Sequence, residues 1–268
     1  MIFLSHSKLK VLKIREEKIY KLKLKVLLMN LIELAPKGKF VFVGDTHGDV
    51  DTSKFIIRTH LTEGTRIVFL GDYVDRGPRS KENVNYLLEQ RKKHPRKIYL
   101  LQGNHERYLS YEFNPADFWY KLEHEEALEY EGTFRQFPLM LSVGDIIATH
   151  SGLPNVKTLK EVNKIKDLSE DWHSIVWEDV VDKHYASRID NNRRRLSVGD
   201  LKKIMKGLSK KLLIRSHDPK APEQMFEGGC LTLFTSRAYP RRQTIAIADF
   251  TKKKRITSVD DLIVEEIR

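Results

Sequence analysis

Three short runs rich in β-branched and aromatic residues stand out in the first half of the chain: Phe40-Val41-Phe42-Val43, Ile67-Val68-Phe69-Leu70 and Ile98-Tyr99-Leu100-Leu101. Such unbroken apolar runs suit strands covered on both faces. Each stops at or near a glycine followed by a polar side chain: Gly44-Asp45, Gly71-Asp72 and Gly103-Asn104. Between the runs, residues 52–61 and 80–94 have helical patterning and the length of a crossover. Strand, polar loop, helix, strand is the pattern of βαβ units, so the predicted fold class is α/β. In such sheets ligands bind just beyond the carboxyl ends of the strands.

The second half is richer in strand patterns. Ile146-Ile147-Ala148-Thr149 leads into His150, and Leu212-Leu213-Ile214 leads into Arg215-Ser216-His217. Leu231-Thr232-Leu233-Phe234 and Thr244-Ile245-Ala246-Ile247-Ala248 follow, then a weaker pair near Ile256 and Leu262-Ile263-Val264, with helical stretches at 115–131 and 199–208. Residues 1–38 read as a basic N-terminal extension, dense in lysine between Lys8 and Lys25. Within it, residues 22–26 alternate like a strand, whereas 26–34 read equally well as a short helix. No repeat or low-complexity linker divides the remainder, so 39–268 is expected to be one domain.

Composition narrows the class. The chain has 268 residues, 40% hydrophobic and 32% charged, which excludes disorder and a membrane bundle. Its longest apolar stretch, Val26-Leu27-Leu28-Met29, is far short of the ~20 residues of a membrane helix. The start lacks the layout of a signal peptide, and Cys230 is the single cysteine, so a cytoplasmic protein in a reducing compartment is expected. A net charge of +11 suits a nucleic acid, an anionic membrane or a phosphorylated substrate, and composition does not choose among them. Abundant Lys and Glu are also a feature of proteins from hot environments.

The chemistry sits at the strand ends. They carry Asp45 with His47, Asp72 with Asp75 and Arg76, Asn104 with His105, then His150 and His217. Carboxylate, amide oxygen and imidazole together suit a borderline transition ion such as Mn, Fe or Zn. A lone histidine after a strand reads as a buried packing residue; five motifs in series at corresponding ends read as a metal centre.

Gly44-Asp45-Thr46-His47-Gly48, Gly71-Asp72-Tyr73-Val74-Asp75-Arg76-Gly77 and Gly103-Asn104-His105-Glu106 resemble, in order and spacing, the three signatures of the PPP family of metal-dependent serine/threonine protein phosphatases. His150-Ser151-Gly152-Leu153-Pro154 and Arg215-Ser216-His217 are similar to two later elements of that family, and the segment 232–239 to the strand and loop that overhang its cleft. The resemblance implies a calcineurin-like metallophosphoesterase fold, a two-sheet β-sandwich flanked by helices. It implies two divalent ions, Mn first, with Fe, Zn, Co or Ni as alternatives. Asp45 and His47 would hold one, Asp72 would bridge, and Asn104, His150 and His217 would complete the second. A metal-bridging hydroxide would attack phosphorus in line, with His105 as general acid, Asp75 orienting it and Arg76 gripping the phosphoryl oxygens. A second phosphate-binding arginine is expected at Arg193, with Arg194 and Arg195 beside it. Phosphoprotein substrates are implied, and a regulatory subunit is left open.

Some positions depart from the family pattern. Gln102 stands where arginine is usual, Ser151 replaces a glycine, Arg194 stands at another glycine position, and the loop 236–239 is one residue shorter. His60, His94, His124, His173 and His184 match no motif and read as surface or packing residues. Dinucleoside polyphosphate hydrolases share the architecture but lack the Asp-Arg-Gly triplet and usually end the third signature in Asp, so Asp75, Arg76 and Glu106 favour the protein phosphatase branch. A non-enzymatic nucleic-acid-binding protein would need aromatics within its basic runs. The runs 8–25, 193–195 and 252–255 contain few, so no nucleic-acid partner is expected.

Overall fold

The computed structural model describes residues 29–181 and 195–267. Two mixed sheets face each other. One orders its strands as β13-β12-β2-β3-β4, where β2 is Lys39–Val43, β3 Thr65–Phe69, β4 Ile98–Leu100, β12 Thr244–Asp249 and β13 Ile263–Glu266. The other runs β1-β5-β6-β9-β11-β10, from β1 (Leu31–Leu34), β5 (Met140–Val143), β6 (Ile146–Thr149), β9 (Leu212–Arg215), β10 (Gln224–Met225) and β11 (Cys230–Thr232). A small parallel pair joins β7 (Asp179–Val180) to β8 (Arg195–Leu196).

Alternation along the strands explains the layers. Phe40 and Phe42 of β2 point inward, with Val68 and Leu70, against Leu141, Ile146, Ala148 and Ile214 of the other sheet. Their neighbours Val41, Val43, Ile67 and Phe69 point outward onto α1 (Val50–His60), α2 (Ser80–Lys93) and α3 (His124–Phe134). Both faces are covered, which is why these strands read as unbroken apolar runs. The outer face of the six-stranded sheet is covered in turn by α6 (Val198–Gly207) through Leu201, Ile204 and Met205. The short helices α4 (Leu159–Val162) and α5 (Glu170–Trp177) precede α6 in the chain, Val162 packing in the same cluster and Trp172, Ile175 and Val176 in a smaller one with Leu139.

Register then places the chemistry. β2, β3 and β4 are parallel, with Val43 opposite Phe69 and Phe69 opposite Leu100, so their carboxyl ends share one edge. β6 and β9 are also parallel, with Ala148 opposite Ile214. A single bridge between Asp45 and Phe234 brings the two sheet edges together.

Three local expectations change. Part of the stretch read as an extension is hydrogen-bonded into the fold: of the strand and helix readings left open there, Leu31–Leu34 is a strand, paired in parallel with β5. Ile32 and Leu34 pack toward the core between the sheets while Leu31 and Glu33 face the other side, a two-residue period that a four-residue window hardly separates from a helical one. The helix expected over 115–131 begins only at His124, after a 3-10 turn at Trp119–Lys121. No strand forms at Ile256; a 3-10 turn at Val259–Asp261 precedes β13.

Candidate metal centre

The five strand-end motifs meet at the junction of the two sheets. Asp45, His47, Asp72, Asp75, Asn104, His105, His150 and His217 are all buried. The backbone turns sharply where they emerge: His47, Asp72, Asp75, Arg76 and His217 have φ between 40° and 75°. Non-glycine residues held there signal a local geometry imposed by the surroundings, a feature concentrated at functional sites. Gly71 (φ 110°) and Gly103 let two of these turns nearly touch, since a Cβ on Gly103 would stand 2.3 Å from Asp72 Oδ1.

The acceptors converge in two groups that share Asp72. On one side, His47 Nε2 lies 3.6 Å from Asp45 Oδ2 and 3.7 Å from Asp72 Oδ2. On the other, His150 Nε2 lies 3.0 Å from Asn104 Oδ1, 3.1 Å from His217 Nδ1 and 3.4 Å from Asp72 Oδ1. His217 Nδ1 is also 3.0 Å from Asn104 Oδ1. Carbonyls fix two of the rings: His47 Nδ1 faces Val74 O at 2.9 Å, and His150 Nδ1 faces Leu70 O at 3.0 Å. A proton on each Nδ1 leaves both Nε2 lone pairs turned into the centre, the arrangement of metal-ligating histidines.

The donor set fits a pair of divalent cations. Asp45 Oδ2 is buried without a hydrogen-bond partner, an expense that folded proteins rarely tolerate unless something else satisfies the oxygen. Imidazoles and an amide oxygen packed 3.0–3.1 Å apart likewise need a shared electrophile between them. In the metal-free protein protons must serve instead. Burial is the strongest single influence and opposes protonation of His150, but the charge and hydrogen bond of Asp72 together with the Asp45 and Glu106 charges outweigh it and raise its pKa to about 9. Burial also pulls Asp72 toward neutrality, yet His150, His105 and His47 hold it well below the usual carboxylate range.

His105 is itself a member of the first group with His47 and Asp72, its Nε2 3.9 Å from Asp72 Oδ2. Its Nδ1 is 2.6 Å from Asp75 Oδ2, and the other oxygen of Asp75 accepts the Phe118 N–H at 2.8 Å. Arg76 is exposed next to this pair, with its guanidinium 5.4 Å from the Tyr239 ring centre. Arg193, Arg194 and His184 lie outside the described residues, and Arg195 begins β8.

Sequence reasoning missed the layer behind the ligands. Glu106 is fully buried and accepts three backbone N–H groups at 2.8 Å, from Asp72, Tyr73 and Gly103, stitching two signature loops together. Burial and the Asp72 charge push its carboxyl up to about 8, while the Tyr73 and Asp72 N–H groups pull the other way. Ser216 Oγ accepts the Asp45 N–H at 2.8 Å and lies against Asp45 Oδ1. Gln102 is buried behind the site, donating to Phe134 O (2.8 Å) and accepting from Trp172 Nε1 (2.7 Å). Only the unbroken polar string after each strand hinted at such partners.

Two packed sheets with a carboxylate–imidazole centre at their joined edge define a metal-dependent phosphoesterase. The calcineurin-like phosphoesterase family model matches residues 38–221, and the chain belongs to that family. It is 28% identical over 164 residues to a protein of Encephalitozoon cuniculi named a probable serine/threonine-protein phosphatase, covering 56% of this chain but only 35% of that protein's length. It is 29% identical to the serine/threonine-protein phosphatase 4 catalytic subunit of Candida glabrata, over 84% of this chain and 79% of the relative. In fold it is similar to a protein serine/threonine phosphatase structure from Saccharomyces cerevisiae, with a TM-score of 0.75 at 20% identity, covering 91% of this chain and 86% of that one.

Proposed function

We propose that this chain hydrolyses phosphoserine and phosphothreonine esters in proteins. The Asp75–His105 pair carries the proposal: a buried carboxylate 2.6 Å from Nδ1 holds one proton there and leaves Nε2 directed at the centre. An aliphatic alkoxide leaves poorly unless it is protonated as the bond breaks, and a carboxylate-held imidazolium is suited to that task. Asp45, His47 and Asp72 would hold one divalent cation and Asp72, Asn104, His150 and His217 a second, manganese for preference. Such cations would supply Lewis acidity toward water and the phosphoryl oxygens.

The protein's own groups do the rest. Arg76, exposed at the rim, presents a planar fork to the phosphoryl oxygens. Water attacks phosphorus on the face opposite the ester oxygen, and its protons leave with the phosphate that forms. As the P–O bond breaks, the proton passes from His105 Nε2 to that oxygen, while Asp75 keeps the ring in place. The names of the relatives support a protein substrate, and the Asp75-Arg76-Gly77 triplet supports that branch over small phosphoanhydrides.

The proton-transfer role has a direct test. His105→Ala should slow release of phosphate from a phosphoserine peptide by about 10²–10⁴-fold. An aryl phosphate, whose phenolate leaves without a proton, should lose much less. Equal losses on both substrates, or no loss on the peptide, would remove His105 from the acid role.

A further inference from the structure

We propose that Arg237 and Arg241 are positioning residues that clamp the loop 235–243 over the centre and so hold the Tyr239 ring against Arg76. This rests on the functional reading above. Arg237 lies within the segment 232–239 that resembles the overhanging loop, without a role of its own there, and Arg241 lies beyond it.

The loop leaves Phe234 and returns into β12. Thr235 closes its base, accepting the Gly44 N–H (2.8 Å) and donating to Thr244 O (2.8 Å). Arg237 then reaches both oxygens of Asp49, with Nε at 2.8 Å, Nη2 at 2.6 Å and its own backbone N–H at 3.2 Å. Asp49 is buried and already fixed as the N-cap of α1, where it accepts the Thr52 N–H. It lies two residues after His47, so the tether runs straight to one side of the centre. On the other leg, Arg241 Nη1 points into the carbonyls of Pro219 and Ala221, both at 2.8 Å, just after His217.

Between the tethers sits Tyr239. Its ring centre is 5.1 Å from Phe234 and 6.0 Å from His47, and the Arg76 guanidinium lies 5.4 Å from it. The circuit closes through charge: Arg237 Nη2 is 3.6 Å from Asp51, and Asp51 pairs with Arg79, three residues beyond Arg76. An isolated exposed ion pair would contribute little. A two-pronged contact to a carboxylate that is itself immobilised is different, because the planar fork admits one orientation. The orientation passed on is that of a ring facing the arginine expected to grip phosphate.

A double-mutant cycle tests the clamp on metal-loaded, full-length protein. Arg237→Ala and Tyr239→Ala should each raise KM for a phosphoserine peptide by about tenfold, with kcat changed much less. The double variant should be no worse than either single, since Arg237 acts only through the ring. Arg242→Ala is the control, because Arg242 pairs with Glu266 and Glu223 on the far side of the same loop, and it should leave KM unchanged. Amide hydrogen exchange supplies a readout without turnover: Arg237→Ala should speed exchange across 236–240. Additive KM effects, or unaltered exchange in that segment, would overturn the clamp. If the wild type turns over no phosphoester, the functional reading fails instead, and exchange alone decides the clamp.

Discussion

Glu106 sits behind the candidate ligands rather than among them, and its burial explains why it matters. One carboxylate collects N–H groups from the loops that carry Asp72 and Asn104, so the distance between the two acceptor groups depends on it. Glu106→Gln replaces one acceptor oxygen with an NH2 that must face a backbone donor. Leaving a buried donor unsatisfied costs about 1–3 kcal/mol. We therefore expect Glu106→Gln to lose stability on that scale in denaturant unfolding and to retain less metal after dialysis. Unchanged stability and metal content would mean that the two loops hold their spacing without it.

At the level of elements, the C-terminal turn before β13 is built on a carboxylate. Asp261 accepts the Thr257 N–H (2.7 Å), completes a capping box with Ser258 and pairs with Lys253, which hold its pKa down to about 2. A depressed carboxylate contributes stability above its unfolded value of 3.8, and that contribution is lost as pH falls through about 2. Asp261→Ala should therefore lower stability by about 1 kcal/mol near neutrality. The difference from wild type should shrink between pH 4 and pH 2 in paired denaturant titrations, and a pH-independent difference would argue for lost packing instead.

Elements also show what was legible beforehand. β2, β3, β4, β6 and β9 could be read because burial on both faces gives unbroken apolar runs, each ending in a polar residue at the common edge. That Asp45, His47, Asp72, Asn104, His150 and His217 would come together followed because those ends are spaced by the folding units themselves. Leu31–Leu34 escaped because four residues carry almost no period, and its partner β5 is more than a hundred residues away. Gln102, Glu106, Arg237 and Arg241 escaped because their partners are backbone groups or side chains remote in sequence, contacts that leave no local pattern.

For the whole molecule, the +11 charge turns out to say little about chemistry. The centre collects acidic and neutral ligands that cations would offset, while basic residues such as Lys54, Lys81 and Arg255 pair with surface carboxylates. No helix among the described residues is long and apolar enough to cross a membrane. What the fold joins is two sheet edges, and its purpose under this account is metal-dependent removal of phosphate from protein side chains. The most direct test is the rate of phosphate release from a phosphoserine peptide by protein stripped with a chelator and reloaded with manganese, set beside release from a dinucleoside tetraphosphate. The account expects turnover of the peptide that vanishes on stripping and returns on reloading. Turnover of the dinucleotide alone, or peptide turnover indifferent to metal, would contradict it.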